Sequence, residues 1–226
     1  MIEQPMNEQP TDDQPTNEDG LAGESDASPE DIAAYYDAWA RATYDQDVAA
    51  WGYEAPRQVA AMVADHLGEQ RSAGLVLDAG CGTGGVGDAL RQAGVERLVG
   101  GDFTPASVAA ARKRGIYETV DHLDLNAPLD FGDGHFAASV SVGVFSYVQD
   151  TAFTIDELLR VTRPGGVVIF TQRTDLWDKR GCPAIIDRLI AAGRCVALTS
   201  EPAPYLPGHP EFADDIGIIY TTLTRR

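Results

Sequence analysis

A glycine-rich turn between a predicted strand and a predicted helix is the segment best suited to holding a ligand. Five glycines lie from Gly80 to Gly87, shortly after the apolar run at 75–77. Glycines let the backbone approach a ligand closely, and a turn that opens a helix points N–H groups at that ligand. Gly80, Gly82 and Gly85 also have the G-x-G-x-x-G spacing of dinucleotide-binding turns. The spacing alone therefore predicts a nucleotide site without selecting the nucleotide.

Aspartates follow the predicted strands that would surround this turn. Asp78 precedes Gly80, where its charge would repel a pyrophosphate but suit a ligand that carries an ammonium and a sulfonium group. Asp102 lies about 20 residues further on, where an acid accepts hydrogen bonds from ribose hydroxyls. A solvated turn acid is the alternative for Asp102. Asp124 could accept from an adenine amino group. The aspartates favour an adenosine ligand with a cationic extension.

Apolar runs and helical stretches alternate along the rest of the chain, which predicts a parallel sheet with right-handed crossovers. We predict strands at 75–77, 97–100, 119–123, 138–144 and 167–171, and helices at 86–93, 105–114 and 152–161. After a further helix at 184–192, no helix separates the strands at 195–200 and 216–223, so these should pair antiparallel. The predicted fold class is α/β, with a seven-stranded, mostly parallel sheet whose last strand is antiparallel.

The first 72 residues divide into an acidic tail and a helical segment. Residues 1–31 hold ten acidic and no basic residues, and Gln-Pro recurs there every five residues. Such a segment cannot bury enough apolar surface to fold, so we expect residues 1–27 to be disordered. Ser28, followed by proline and acids, predicts a helix start. The chain thus divides into a tail (1–27), an N-terminal helical segment (28–72) and a core (73–226).

Composition and charge exclude several functional classes. The net charge of −18 would repel a polyanion, so DNA or RNA is disfavoured as a partner. The 44% hydrophobic content is sufficient for a core. No apolar run approaches the roughly 18 residues of a membrane span. The three cysteines form no CxxC pair, and no metal site is evident. We expect a soluble cytoplasmic protein, monomeric or homodimeric, that acts on a small molecule rather than on nucleic acid or a membrane.

The run from Asp78 to Gly84, followed by Asp102, Asp124 and the turn at 163–166, resembles the motif set of class I S-adenosylmethionine-dependent methyltransferases. The resemblance covers residues 74–226. It implies a Rossmann-like fold, S-adenosyl-L-methionine as the cofactor, and an N-terminal helical lid at 28–72. The chain is closer still to the methyltransferase-like proteins of the Williams–Beuren chromosomal region, through the segments 36–40, 44–48, 53–56, 157–166 and 171–174.

The resemblance implies residues that bind the methionine end of the cofactor. Gly80, Gly82 and the backbone of Cys81 would line the methionine portion. Asp78 would hold the turn and the ammonium group, and Gly143 would contribute backbone near the sulfonium.

Other residues would bind the adenosine end and close the site. Asp102 would bind the ribose and Phe103 would flank the adenine. Asp124 and the Leu125 N–H would read the adenine edge. Two lid tyrosines would cover the cofactor, although ordinary core packing is an equal alternative for both; they are Tyr36 and Tyr44.

The methyl acceptor is less closely specified by the sequence. In-line methyl transfer can depend mainly on positioning and desolvation, with or without a general base. Gly143 opens a Gly-Val-Phe-Ser run, not the Asn/Asp-Pro-Pro-Tyr/Phe run of amino-methylating enzymes, which favours an oxygen or carbon acceptor. Arg173 could hold an acceptor carboxylate, or pair with a nearby acid instead. His209 is the histidine proposed as a catalytic base.

Two other functional classes remain open. An NAD(P)-dependent oxidoreductase would use the same glycine spacing, but Asp78 and the absence of a Tyr-x-x-x-Lys pair count against it. A protein that binds S-adenosylmethionine without catalysing a reaction would carry the same motifs. The leading hypothesis is a methyltransferase that acts on a small molecule at oxygen or carbon.

Overall fold

The computed structural model describes Ala34 and residues 38–39, 43–210, 212–213 and 215–226. The tail predicted at 1–27, the helix start predicted at Ser28, and Tyr36 lie outside the described residues. Among the helices of the described part of the chain, none is long and apolar enough to cross a membrane.

One mixed sheet forms the centre of the molecule. Its strands are β1 (Leu75–Ala79), β2 (Arg97–Asp102), β3 (Thr119–His122), β4 (Phe136–Ser141), β5 (Thr162–Arg173), β6 (Cys195–Thr199), β7 (Ala203–Pro204) and β8 (Gly217–Arg225). Their order is β3-β2-β1-β4-β5-β8-β6, and β7 also pairs with β8. The first five strands are parallel, while β8 runs antiparallel to both β5 and β6. The predicted α/β fold with an antiparallel last strand is confirmed.

The two-residue strand β7 was not expected in the loop between β6 and β8. The Ser200 N–H donates to the Tyr220 carbonyl, and the Ser200 hydroxyl accepts from the Tyr220 N–H. These bonds keep the chain beside β8 after β6 ends, and Ala203 then pairs opposite Ile218. No apolar alternation marks so short a strand, so sequence periodicity could not reveal it.

Four of the helices, those that begin at Gly85, Pro105, Thr151 and Cys182, follow the predicted positions closely. The helices are α1 (Tyr44–Ala50), α2 (Ala55–Leu67), α3 (Gly85–Gln92), α4 (Pro105–Arg114), α5 (Thr151–Val161), α6 (Thr174–Trp177) and α7 (Cys182–Ala191), and a 3₁₀ turn spans Gly68–Ser72. Thr104 caps α4 by accepting from the Ser107 N–H at 3.3 Å, and Pro105 occupies the first turn. Asp150 caps α5 by accepting from the Phe153 N–H at 2.9 Å. These caps satisfy backbone donors that a helix start leaves unpaired.

Helices cover both faces of the sheet. Val59 and Val63 of α2, with Leu90 of α3, pack on one face. On the other face, α5 and α7 contribute Ile155 and Leu189. Strand β4 is buried at every position because it lies between both layers. The chain order reverses between β1 and β4, and a crevice at the carboxyl ends of strands at such a point is the usual ligand site of an open α/β sheet.

Candidate functional site

A cavity that is open to solvent on one side lies at the carboxyl ends of β1, β2 and β4. Eight residues predicted to bind the cofactor line it: Tyr44, Gly80, Gly82, Asp102, Phe103, Asp124, Leu125 and Gly143. Asp78 and Cys81 lie behind this lining. The fold therefore brings residues from separate segments of the sequence around one space.

The glycine-rich turn is fixed on β2 by backbone hydrogen bonds. The N–H groups of Gly80 and Cys81 both donate to the Gly101 carbonyl, at 2.8 and 2.9 Å. Gly80 has φ +79°, and a Cβ there would lie 2.4 Å from a methyl carbon of Val144. Gly82 has φ +53°, and a Cβ there would meet no atom within 4 Å. Position 80 must therefore be a glycine, because any side chain there would clash with Val144. At Gly82, by contrast, the space beside the cavity is open.

Asp102 supports the turn as well as facing the cavity. Its Oδ2 accepts from the Gly82 N–H at 2.9 Å. Its Oδ1 accepts from the N–H and the hydroxyl of Thr104, at 2.9 and 3.1 Å. A carboxylate offers about four acceptor sites, so three of them are engaged within the protein. Two of these bonds engage Oδ1 and one engages Oδ2, so the acceptor site left for a ribose hydroxyl is on Oδ2.

The predicted adenine side of the cavity combines an exposed ring with a carboxylate-containing turn. Phe103 is 38% exposed, and its ring lies 5.2 Å from that of His122. Asp124 Oδ1 accepts from the backbone N–H of Asn126 at 2.8 Å and from its side-chain amide at 3.2 Å. This local turn holds Asp124 at the rim, where an apolar ring and polar acceptors can contact a purine.

Asp78 is buried beneath the turn. Its Oδ2 accepts from the Tyr117 hydroxyl at 2.7 Å, and its Oδ1 has no hydrogen-bond partner among the described residues. Burial raises the pKa of Asp78 to about 7; the charge of Asp102 adds to this rise, while the bond from Tyr117 opposes it. Sequence reasoning missed Tyr117. Two glycines are a trace of it: a Cβ on Gly87 would lie 2.2 Å from the Tyr117 hydroxyl oxygen, and a Cβ on Gly100 would lie 3.1 Å from the Tyr117 ring.

We expect Asp78 to make the cofactor-free protein less stable as pH rises. The unfolded carboxyl loses its proton near pH 4 but the folded one near pH 7, so the folded state holds the extra proton between these values. The free energy of unfolding should then fall through this window, by at most about 4 kcal/mol. Urea unfolding of the wild type and Asp78→Asn between pH 4.5 and 8 measures the difference. The histidines are the same in both proteins, so their contribution to the pH dependence cancels in this difference. Parallel curves of unfolding free energy against pH would contradict the assignment.

Cys81 contributes backbone rather than thiol chemistry. Its side chain packs with Val108, Ala111 and Val120. Burial, followed by the nearby charges of Asp78 and Asp102, raises the pKa of the Cys81 thiol well above its usual range. The residue therefore keeps a neutral side chain in the core while its N–H holds the turn.

Tyrosines surround the end of the cavity next to β4. The Gly143 N–H donates to the Thr171 hydroxyl at 2.9 Å, which fixes the backbone where φ is +75°. A Cβ on Gly143 would lie 2.9 Å from the Tyr53 hydroxyl oxygen, so glycine is required there for close packing. Tyr44 and Tyr147 line the same end. Burial raises the pKa of Tyr44, which keeps this wall uncharged.

Arg173 and His209 do not line the cavity. The Arg173 guanidinium donates to both oxygens of Asp175, at 3.0 and 2.8 Å, and lies 5.0 Å from the centre of the Phe212 ring. Of the two alternatives for Arg173, the structure shows pairing with a nearby acid. His209 is buried, stacked on Phe212 at 4.3 Å and edge-on to Trp51 at 4.5 Å. The geometry gives no support to either residue as a catalytic group.

Comparison with known proteins gives matches in sequence and in fold. A methyltransferase domain profile matches residues 77–170. The chain is 38% identical to Methyltransferase-like protein 27 from Homo sapiens over 176 aligned residues. The aligned region covers 76% of this chain and 71% of the relative. The cyclase SpnF superposes with a TM-score of 0.65 at 18% identity, covering 88% of this chain and 97% of SpnF.

A second solved structure carries the cofactor product. The geranyl diphosphate C-methyltransferase from Streptomyces coelicolor A3(2), in complex with Mg²⁺, geranyl diphosphate and S-adenosyl-L-homocysteine, superposes with a TM-score of 0.61 at 17% identity. It covers 88% of this chain and 98% of that chain. At such identities the two structures establish the fold alone.

The chain belongs to the class I S-adenosylmethionine-dependent methyltransferases, and it is similar to Methyltransferase-like protein 27. Its cofactor is S-adenosylmethionine. The residues present fit that molecule: the open space at Gly82 admits close backbone contact, the exposed ring of Phe103 offers an apolar surface, and Asp78 keeps an unpaired oxygen beneath the turn.

Proposed function

We propose that this chain transfers a methyl group from S-adenosylmethionine to an oxygen or carbon atom of a small molecule. The observation that carries the proposal is the end of the cavity at Gly143, which is walled by Tyr44, Tyr147 and backbone. This wall is uncharged, and a cofactor and acceptor bound against it would displace water; those conditions favour the transfer of a cationic group to a neutral or anionic acceptor. The deficit of basic residues in the whole chain argues against a polyanionic acceptor.

The proposed cofactor contacts divide between the two ends of the cavity. The backbone of Gly80 and Gly82, fixed by Cys81, holds the methionine portion. Asp78 contributes negative charge beneath the ammonium group, and Gly143 presents backbone beside the sulfonium. These assignments rest on the position of each residue around one cavity and on the hydrogen bonds that hold it there.

The adenosine end would be recognised by polar groups and one ring. The Oδ2 atom of Asp102 retains capacity for a ribose hydroxyl, and the exposed face of Phe103 can pack on a purine. Asp124 and the backbone of Leu125 lie at the rim that an adenine edge would reach. Asp124 directs Oδ1 into its own turn, so we assign its ligand contact to the other oxygen.

Catalysis in this site would depend on positioning. When bound, S-adenosylmethionine supplies a methyl group on a sulfonium centre that any well-placed nucleophile can attack. Tyr44 and Tyr147 then exclude water and narrow the approach to the Gly143 end, which restricts the acceptor to an in-line arrangement. None of the described residues that line the cavity is a histidine or a lysine. We therefore propose an acceptor that reacts as an oxyanion, an enolate or an activated carbon.

We further propose that the chain shares its acceptor class with the methyltransferase-like proteins of the Williams–Beuren region. The motif segments from 36–40 to 171–174 support this grouping, and the identity of 38% with Methyltransferase-like protein 27 agrees with it. The relative titled as a geranyl diphosphate C-methyltransferase supports a small-molecule acceptor by analogy of fold only.

A two-stage experiment tests the proposed function. Calorimetry with S-adenosylhomocysteine and with NADPH, using the full chain, should show binding of the first ligand only. The chain is then incubated with methyl-tritiated S-adenosylmethionine and an extract of its source organism, and the extract is separated into acid-soluble and acid-precipitable fractions. Label should appear in acid-soluble metabolites. Label confined to precipitated protein or nucleic acid would contradict the acceptor class, and NADPH binding alone would favour an oxidoreductase.

A further inference from the structure

The first turn of α1 makes a polar contact with the glycine-rich turn at the edge of the cavity. The Thr83 hydroxyl donates to Asp45 Oδ1 at 2.5 Å, although the two residues are 38 positions apart in the chain. Tyr44, the residue before Asp45, lines the cavity, as does Thr83. The bond between Asp45 and Thr83 therefore helps to fix the neighbouring Tyr44 in the cavity wall, together with the Trp39 ring, whose centre lies 4.6 Å from that of Tyr44.

Arg114 strengthens this contact and connects it to the core. Its guanidinium pairs with Asp45 and with Asp88 of α3, and its Nε donates to the Thr83 carbonyl. Its side-chain stem packs so closely on Gly84 that a Cβ at that position would lie 2.8 Å from Arg114 Cδ. One cation thus links α1, the glycine-rich turn, α3 and α4.

The other attachment of the N-terminal segment is of a different kind. The Trp39 indole N–H and the Thr43 hydroxyl donate to Asp47 Oδ2, at 2.7 and 2.6 Å. Trp39 is buried in an aromatic cluster in which Trp51 lies 5.8 Å from it. Phe212 belongs to the same cluster. Tyr44 also packs against this cluster, with its ring centre 4.6 Å from that of Trp39. This attachment does not involve the glycine-rich turn, so α1 can stay tethered there when the contact between Asp45 and Thr83 opens.

We propose that Asp45 is a positioning residue that latches α1 to the glycine-rich turn and thereby slows the release of the bound cofactor. Tyr44 forms part of the wall, so the cofactor cannot leave freely while Asp45 holds Thr83 and Arg114. When the latch opens, α1 can tilt about its aromatic attachment, so Tyr44 no longer keeps a fixed place in the cavity wall. The inference rests on the proposed placement of the cofactor in this cavity.

The latch is accessible to ions. The side chains of Asp45 and Arg114 are 55% and 26% exposed. Partly exposed ion pairs are weakened by salt, because the screening length falls from about 10 Å at 0.1 M to about 3 Å at 1 M. Release of the cofactor should therefore accelerate as the salt concentration rises, and this dependence should disappear when Asp45 is removed.

The test measures the dissociation rate of tritiated S-adenosylhomocysteine after dilution into excess unlabelled ligand. Asp45→Ala is expected to increase this rate about tenfold, with Asp45→Asn intermediate because it keeps one acceptor. Asp88→Ala is the matched control: Asp88 is also an acid in the first turn of a helix and also pairs with Arg114, but it does not contact α1. The control should change the rate less than threefold.

A second readout separates the latch from general stabilisation. The rate for the wild type should rise several-fold between 50 and 500 mM NaCl, and the rate for Asp45→Ala should not. Equal dissociation rates for wild type, Asp45→Ala and Asp88→Ala would overturn the latch while leaving the cofactor site intact. A wild type that binds no S-adenosylhomocysteine would overturn the proposed placement of the cofactor, and the latch with it.

Discussion

Gly82→Asp is expected to abolish binding of S-adenosylhomocysteine while the fold is retained. A Cβ on Gly82 meets no protein atom within 4 Å, so the new side chain has room in the cofactor-free protein. Its backbone has φ +53°, a conformation that Asp tolerates better than most residues. The carboxylate would, however, occupy the space where the backbone must approach the methionine portion. Affinity should fall at least about a hundredfold, or about 3 kcal/mol.

Calorimetry on Gly82→Asp needs a control for backbone strain and for charge. Gly193 provides one, because it has φ +67°, also has no atom within 4 Å of its Cβ position, and lies between α7 and β6 outside the cavity lining. Gly193→Asp should bind like the wild type. Equal affinities for all three proteins would refute the cofactor placement at Gly82.

Asp102→Ala is expected to weaken S-adenosylhomocysteine binding at least tenfold. The substitution removes the ribose acceptor and also leaves the N–H groups of Gly82 and Thr104 without their carboxylate partner. Hydrogen bonds to a charged group contribute roughly 1.5–3 kcal/mol each. Asp102→Asn should lose less, because one oxygen remains. It should not match the wild type, since its NH₂ group cannot accept from either backbone N–H.

Two comparisons separate ribose recognition from support of the turn. Asp121→Ala removes an equal charge from an exposed position on β3, where Asp121 pairs with Arg112, and it should leave affinity unchanged. The wild type should bind the 2′-deoxy analogue of S-adenosylhomocysteine more weakly than it binds S-adenosylhomocysteine itself. Asp102→Ala should bind the two ligands with about the same affinity. If Asp102→Ala weakens both ligands by the same factor, Asp102 supports the turn and does not contact the ribose.

The elements of the fold could be predicted because their signals are local. The Thr104–Pro105 start of α4, the alternation of apolar runs with helices, and the missing helix before β8 all lie within a few residues of what they predict. Periodicity and capping act over one or two turns of chain, so a single sequence contains them. The sequence likewise placed Asp102 at the end of β2 and Asp124 shortly after β3.

The partners of these residues could not be predicted in the same way. Asp78 bonds to Tyr117 and Asp45 to Thr83 across separations of 39 and 38 residues, and no periodicity relates the positions. Arg173 differs from these two, because its partner Asp175 lies only two residues further along the chain; the sequence left both of its uses open, and the structure shows the ion pair.

By itself, the sequence determined the α/β architecture, the glycine-rich turn and the acids that end the strands, because these follow from local backbone preferences and from the alternation of apolar residues. Only the tertiary structure decided that Asp102 shares its oxygens with Gly82 and Thr104, and that Asp45 joins α1 to the turn. Such contacts depend on how helices and strands far apart in the chain pack together, and burial and hydrogen-bond geometry are properties of that packing.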